Sequence, residues 1–565
     1  MLESTMMDYP LIIPSILERA RTLFPHRTIT SIIPVGLDPE TKAPIPGTHR
    51  ITYGELYPRV MQLCNALTGA GIVSGDRVAT LAVNTYRHLE LYFAVPSVGA
   101  VCHMVNIRLP PEQIVYIINH AEDRILFVDN VFAAMLPALL PHCPKLEKVI
   151  VMGPVPGGLP ANVIDYEAFI ADQPDTFAYP EINERQASGM CYTSGTTGNP
   201  KGVLYSHRGI VLHSLASMAT DLLGVNEKDT LLAIVPMFHV NAWGFPYSCT
   251  MSGANQVFMS VFTQAPLIAR TLEAEKVTIG AGVPTIWLGL LDELDRAKNA
   301  GNPYQLEHLK SLLVGGSAAP RPMIEAFGER HGLHITHAWG MTETTPLGTI
   351  NNPAPQHTDL RGGAKYDQMA LTGRPSPLID IEIVNGEGDA LTHDGQTPGR
   401  LLVKGPWVTA KYFKDEAGSA ATAVMLPNAS GKLEHWFDTG DIATINTEGF
   451  MLIQDRAKDL IKSGGEWISS VDLENTLMGH PAVKEAAVIA LPHPKWDERP
   501  FGVIVLREGS SATMEELNAH LLGKFAKWQL PDDYAFVESL PLTATGKFLK
   551  RALRDKFKEH KLPGT

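Results

Sequence analysis

Short apolar runs rich in β-branched residues alternate with helical stretches along most of this chain, and that alternation restricts the fold more than any other feature. The runs "DRVATLAV", "DRILFVD", "KVIVMG", "LLAIVP" and "VTIGAGVP" are strand-length and near-continuously apolar. Strands of this kind are buried on both faces and need crossover helices, so the pattern predicts parallel sheets flanked by helices. Between them, Thr52 and Glu55 form a capping box for a helix that stops near Gly71, and "TYRHLELYFAVPSVGAV" reads as a second helix. In "SLLVGGSAAPRPMIEAF" an apolar strand ends at Gly315, Gly316 and Ser317 before a proline-started helix. Open α/β sheets bind ligands at that carboxyl end, although a tight turn without a ligand has the same pattern.

At 565 residues the chain is too long for one core. The composition changes near Asp455, where "DRAKDLIKSGGEW" is charged and then glycine-rich. Beyond it, Ser469 and Asp472 cap a helix ending before Pro481, "VKEAAVIAL" and "FGVIVL" read as strands, and Thr513 and Glu516 cap a helix carrying Leu517, Leu521, Leu522 and Phe525. The expected division is a large α/β domain over 1–454 and a small α+β domain over 455–565, joined by a short hinge. The formal net charge of -13 and the lack of a basic face argue against nucleic-acid binding. The five cysteines are odd in number and form no CxxC pair, which suits a reducing compartment. The proline-broken, acidic start does not read as a signal peptide, and no apolar run approaches a membrane span, so the expected location is the cytoplasm.

The chemistry is concentrated in "YTSGTTGNPKGV", residues 192–203. A Walker A loop has Ser or Thr after its lysine; here Gly202 follows Lys201, and Pro200 disfavours helix at Asn199. The loop is of another kind. Gly195 and Gly198 allow backbone N–H groups to approach an anion, Ser194, Thr196 and Thr197 add donors, and Lys201 adds charge.

This loop resembles the phosphate loop of the adenylate-forming enzymes: acyl-CoA synthetases, peptide-synthetase adenylation domains and luciferases. Further signatures follow in the family order: "PMFHVNAWG" at 236–244, "GGSAAP" at 315–320, "AWGMTET" at 338–344, "WFDTGD" at 436–441, "DRAKDLIKSGGEWIS" at 455–469 and "TATGKFLKR" at 543–551. The resemblance implies ATP, magnesium and coenzyme A as reactants or cofactors. It also implies a mobile C-terminal domain and a homodimer built through the large domain. Glu343 and Thr193 are the implied magnesium ligands, and Thr342 the implied α-phosphate donor beside Gly340 and Met341. Trp339 stands where the family more often has tyrosine; a face for stacking on adenine is kept and a hydroxyl is lost. Gly316, Ser317 and Ala318 form the other wall of that pocket, Asp441 takes the ribose hydroxyls, and Arg456 reaches ribose or phosphates. Lys547 bridges the acid and the α-phosphate during adenylation, and Lys458 is the hinge. After rotation of the small domain, Gly464 and Gly465, followed by Glu466 and Trp467, line the path of coenzyme A.

His239 and Trp243 border the implied acyl pocket. His239 is counted among the catalytic candidates, and a satisfied core histidine is the other reading. Trp243 is either a gate to the acyl channel or core packing. Bacterial medium- and long-chain fatty acid–CoA ligases resemble this sequence most, and ligases for short thioether acids such as 3-(methylthio)propionate share the "HAWGMTE" form. A peptide-synthetase adenylation domain would need a carrier domain after Lys547, and a luciferase would use oxygen instead of a thiol. A non-enzymatic lipid-binding protein would not need Lys547, Glu343 and the phosphate loop together. The pair His334 and His337 in "HITH" lacks a third metal ligand nearby.

Overall fold

The computed structural model describes the chain except residues 1, 3, 161–162, 194–198, 543–547 and 564–565. Two mixed sheets with helices on their faces carry the larger part. A seven-stranded sheet is parallel except for the pairing of Ala187–Tyr192 with Gly202–Ser206, the two strands that flank the glycine-rich loop. A nine-stranded sheet has a parallel centre that includes Thr230–Ala233, Ile279–Gly282, Ser311–Val314 and Ile335–Gly340. Its one edge is the long antiparallel hairpin Thr28–Leu37 and Pro44–Thr52. The expected strands and helices are present. Thr52 and Glu55 cap Tyr53–Gly69 reciprocally, and Thr85 caps Tyr86–Ser97.

Three features depart from the sequence expectation. A five-stranded antiparallel sheet occupies Asp380–Arg456, between the parallel sheets and the small unit. The N-terminal prolines do not break structure throughout: Pro14 sits in the first turn of helix Ile13–Leu23, where a missing N–H costs nothing. Leu522 lies past the helix Met514–Leu521 and is exposed, while Leu517 and Leu521 are fully buried.

The strand Met451–Arg456 belongs to the antiparallel sheet, and from Ile461 onward the chain has its own apolar clusters. One gathers Ile461, Leu473, Leu477, Val488 and Ile504; the other gathers Ile489, Phe501, Val503 and Leu553. Between Arg456 and Ile461 lies a tight turn, in which Asp459 and Leu460 donate their amides to the carbonyl of Arg456. No helix among the described residues is long and apolar enough to cross a membrane.

Candidate active site

A cavity of about 860 Å³ opens where the nine-stranded sheet, the antiparallel sheet and the small unit meet. Two adjacent parallel strands deliver their carboxyl ends to it. Ser311–Val314 runs into Gly315, Gly316, Ser317 and Ala318, and Ile335–Gly340 presents Trp339 and Gly340, followed by Met341, Thr342 and Glu343. Gly340 is required there: a Cβ would stand 2.0 Å from the carbonyl oxygen of Pro346.

The antiparallel sheet contributes Asp441 and Arg456, paired across the register of neighbouring strands. Asp441 is buried. Its Oδ1 meets Arg456 Nε at 2.8 Å, and its Oδ2 accepts the indole N–H of Trp339 at 2.9 Å. The carboxylates around Arg456, Asp441 foremost, hold its guanidinium pKa above the ordinary value. Replacing tyrosine by tryptophan at 339 therefore does not leave the side chain without a hydrogen bond; the indole donates to the carboxylate expected to bind ribose.

Glu343 is also buried, and its Oε1 accepts the hydroxyl of Tyr412 at 2.7 Å. Burial and the adjacent Glu343 push the Tyr412 pKa far up, so the phenol keeps its proton and donates. The Lys201 ammonium lies 4.6 Å from the centre of the Tyr412 ring and 3.7 Å from Asp415 Oδ2. Thr193 and Lys201 are joined across the loop base: Thr193 N–H donates to the Lys201 carbonyl, and Lys201 N–H donates to Thr193 Oγ1. Tyr205 donates its hydroxyl to the carbonyl of Thr342 at 2.9 Å. Ser194, Gly195, Thr196, Thr197, Gly198 and Lys547 lie outside the described residues. Phe548, Leu549, Lys550 and Arg551, which follow Lys547, line the cavity.

His239 and Trp243 both line the cavity and are half-buried. His239 precedes a left-handed turn in which Val240, Asn241, Ala242 and Trp243 have φ of 47°, 56°, 46° and 58° before Gly244 at 79°. Such a run costs about 1–2 kcal/mol per non-glycine residue and is held by its surroundings. The Trp243 indole lies against Gly315, where a Cβ would come within 3.1 Å of it. The wall here is mixed: His213, Ser217, Leu223 and Phe245 share it, and burial pushes the His213 pKa down to about 4, so that imidazole is neutral near pH 7.

Lys458 occupies the turn beside the cavity. Gly464, Gly465, Glu466 and Trp467 do not line it; Gly464 and Gly465 form the tight turn between strands Ile461–Ser463 and Glu466–Ile468, and Trp467 in the second strand is exposed. His337 is not a metal ligand in waiting. Its Nε2 accepts the amide of Ala319, which leaves Nδ1–H to donate to the carbonyl of Ala370. Among the described residues no three acidic, histidine or cysteine side chains gather to hold a metal. The oxygen donors at hand, the Glu343 carboxylate and the Thr193 hydroxyl, suit magnesium carried in on phosphates better than a dedicated protein cage.

Sequence reasoning missed Tyr412, Asp415 and Tyr205, which sit in no chemistry-bearing spacing. It also missed a buried polar cluster around Lys550. Lys550 pairs with Glu474 at 2.7 Å and donates to Ser470 Oγ; Asp455 accepts the Ser470 amide at 2.7 Å. "GKFLKRALRDKFK" reads as a solvated basic run, yet Lys550 faces inward and burial pushes the Glu474 carboxyl up to about 7.

The comparisons with known proteins agree with this geometry. The AMP-binding enzyme family matches residues 35–413, and the AMP-binding enzyme C-terminal domain matches residues 472–547. The chain is 46% identical over 559 residues to a long-chain-fatty-acid–CoA ligase of Thermus thermophilus, covering 99% of this chain and 97% of that one. It is 44% identical over 557 residues to a 3-methylmercaptopropionyl-CoA ligase of Ruegeria pomeroyi, covering 98% of each. Among solved structures, an anthranilate CoA ligase in complex with anthranoyl-AMP superposes with a TM-score of 0.84 at 25% identity, covering 98% of both chains.

Proposed function

We propose a function from the premise that the chain belongs to the AMP-binding enzyme family: it is an acid–CoA ligase that works through an acyl-adenylate. The observation that carries this reading is the gathering of Trp339, Asp441, Thr342, Glu343 and Lys201 around one cavity. In the first step a carboxylate oxygen of the acid bonds to the α-phosphorus of ATP, the bond from that phosphorus to the bridging oxygen breaks, and pyrophosphate leaves. Two anions must approach, so the site has to supply positive charge and fixed donors. Lys201 and Lys547 supply charge, Thr342 donates to the α-phosphate, Asp441 receives the ribose hydroxyls, and Trp339 borders the base. Glu343 and Thr193 would hold magnesium, which would supply charge neutralisation on the phosphates.

In the second step the thiolate of coenzyme A bonds to the acyl carbon and AMP leaves. For this the part of the chain beyond Lys458 turns about that residue and brings Gly464 and Gly465 to the cavity. Glycine suits a narrow arm sliding along backbone.

The acid is a medium- to long-chain fatty acid in this reading, supported by the apolar wall of Leu223, Val240, Trp243 and Phe245 and by the Thermus relative. A second reading, a short thioether acid, is favoured by His213, Ser217 and His239 in the same wall and by the Ruegeria relative. Pyrophosphate release and thioester formation with ATP, magnesium and coenzyme A, over acids from propionate and 3-(methylthio)propionate to palmitate, test both. Thioester formation peaking at one chain length supports the ligase and identifies the acid class. Pyrophosphate release without any thioester sinks the ligase reading.

A further inference from the structure

Asp441 is gripped from three sides. Its amide donates to Thr439 Oγ1 at 3.1 Å, and that hydroxyl donates to the carbonyl of Leu401. Arg456 Nε occupies one carboxylate oxygen, and the indole N–H of Trp339, 102 residues earlier in the chain and on a different sheet, occupies the other. The indole is itself seated: its six-membered ring packs on Gly348, where a Cβ would lie 2.3 Å from Cζ3 and 2.4 Å from Cε3. Gly348 is thus a slot that fixes the direction in which the N–H points.

An ionised carboxylate has about four lone-pair sites, two on each oxygen. Trp339 takes one on Oδ2, and Arg456 pairs ionically with Oδ1, so each oxygen keeps at least one. Two remaining acceptor sites, one per oxygen, match two vicinal hydroxyl donors. We infer that Trp339 is a positioning residue that acts through Asp441: its N–H sets the plane of the carboxylate so that both free sites face the ribose diol, and discrimination for ribonucleotides depends on it. This inference rests on the ATP reading above and adds to it a role separate from stacking on the base.

The test compares equilibrium binding of ATP, 2′-deoxyATP and 3′-deoxyATP to the full chain and to Trp339→Phe, which keeps an aromatic face and loses the donor. The native protein is expected to prefer ATP over both deoxy forms, and Trp339→Phe to lower that preference by at least about tenfold, the lower end of what one hydrogen bond to a charged group contributes. Equal weakening for all three nucleotides would mean that the ring only stacks, and overturns the inference. So does a native protein that binds ATP and the deoxy forms equally well. A native protein that binds none of the three overturns the ATP reading instead. Gly348→Ala, which displaces the ring without removing the N–H, provides the same comparison if Trp339→Phe melts below the assay temperature. An unchanged preference there is an overturning result too.

Discussion

Changing Tyr412 to phenylalanine removes one oxygen from the densest part of the site. The ring stays, so its edge contact with Phe437 and the Lys201 ammonium above its face are kept. What is lost is the 2.7 Å hydrogen bond to Glu343 Oε1, made between two side chains that are both buried. A hydrogen bond to a charged acceptor contributes about 1.5–3 kcal/mol, and about 2 kcal/mol is expected for this one. If Glu343 bears on the phosphates in the transition state, that corresponds to about a thirtyfold fall in kcat/KM for ATP. The assay is initial-rate pyrophosphate release at saturating acid and magnesium, with ATP titrated. A double-mutant cycle makes it specific: in a Glu343→Gln background the same change should cost threefold or less, because the charged acceptor is already gone. An undiminished loss in that background would show that Tyr412 acts by some route other than Glu343. A loss below about twofold in the native background would refute the magnitude.

Three further outcomes are expected. Burial pushes the Asp129 carboxyl up to about 7, against the single amide of Val83 that it accepts. Its contribution to stability is therefore present at pH 4 and below and is lost as pH rises through 7, and Asp129→Asn should flatten the decline in denaturation midpoint between pH 4 and 7; parallel curves would contradict this. Lys550→Met strands the Glu474 carboxylate and should cost about 3–5 kcal/mol at pH 8, with most of the loss recovered when Glu474→Gln is added; no recovery would exclude pairing as the cause. Lys458→Pro should slow thioester formation much more than adenylate formation, and an equal effect on both half-reactions would remove the hinge from the mechanism.

Elements set by local hydrogen bonding could be read from sequence alone. Ser469 caps its helix through the Asp472 amide, and Thr513 exchanges bonds with Glu516, because both ends of each interaction lie within four residues. The parallel strands were legible because burial on both faces leaves no polar alternation. The antiparallel sheet over Asp380–Arg456 was not: its strands alternate in burial and pair with distant partners, and only the register shows that Asp441 faces Arg456. The site was legible to the extent that its residues fall in contiguous motifs. Tyr412, which reaches Glu343 across 69 positions, and Trp339, which reaches Asp441 across 102, are joined by tertiary geometry alone. Lys550 misled for a related reason, since a basic run does not reveal which of its members turns inward.

The left-handed turn at 240–244 has a consequence for how such an enzyme changes its acid over generations. Four side-chain-bearing residues already sit in a backbone region that tolerates few substitutions, and a Cβ on Gly244 would lie 2.6 Å from the His213 ring. The turn is therefore a poor place for drift to begin. The opposite wall is less constrained: Gly315 has ordinary backbone geometry, and a Cβ there would meet the Trp243 indole at 3.1 Å and the Ala338 carbonyl oxygen at 3.3 Å. A single methyl group there presses on the indole from outside the turn. In the proposed reading, the adjustable surface for acyl selectivity is the glycine facing the tryptophan, and the segment that carries the tryptophan is the inherited fixture.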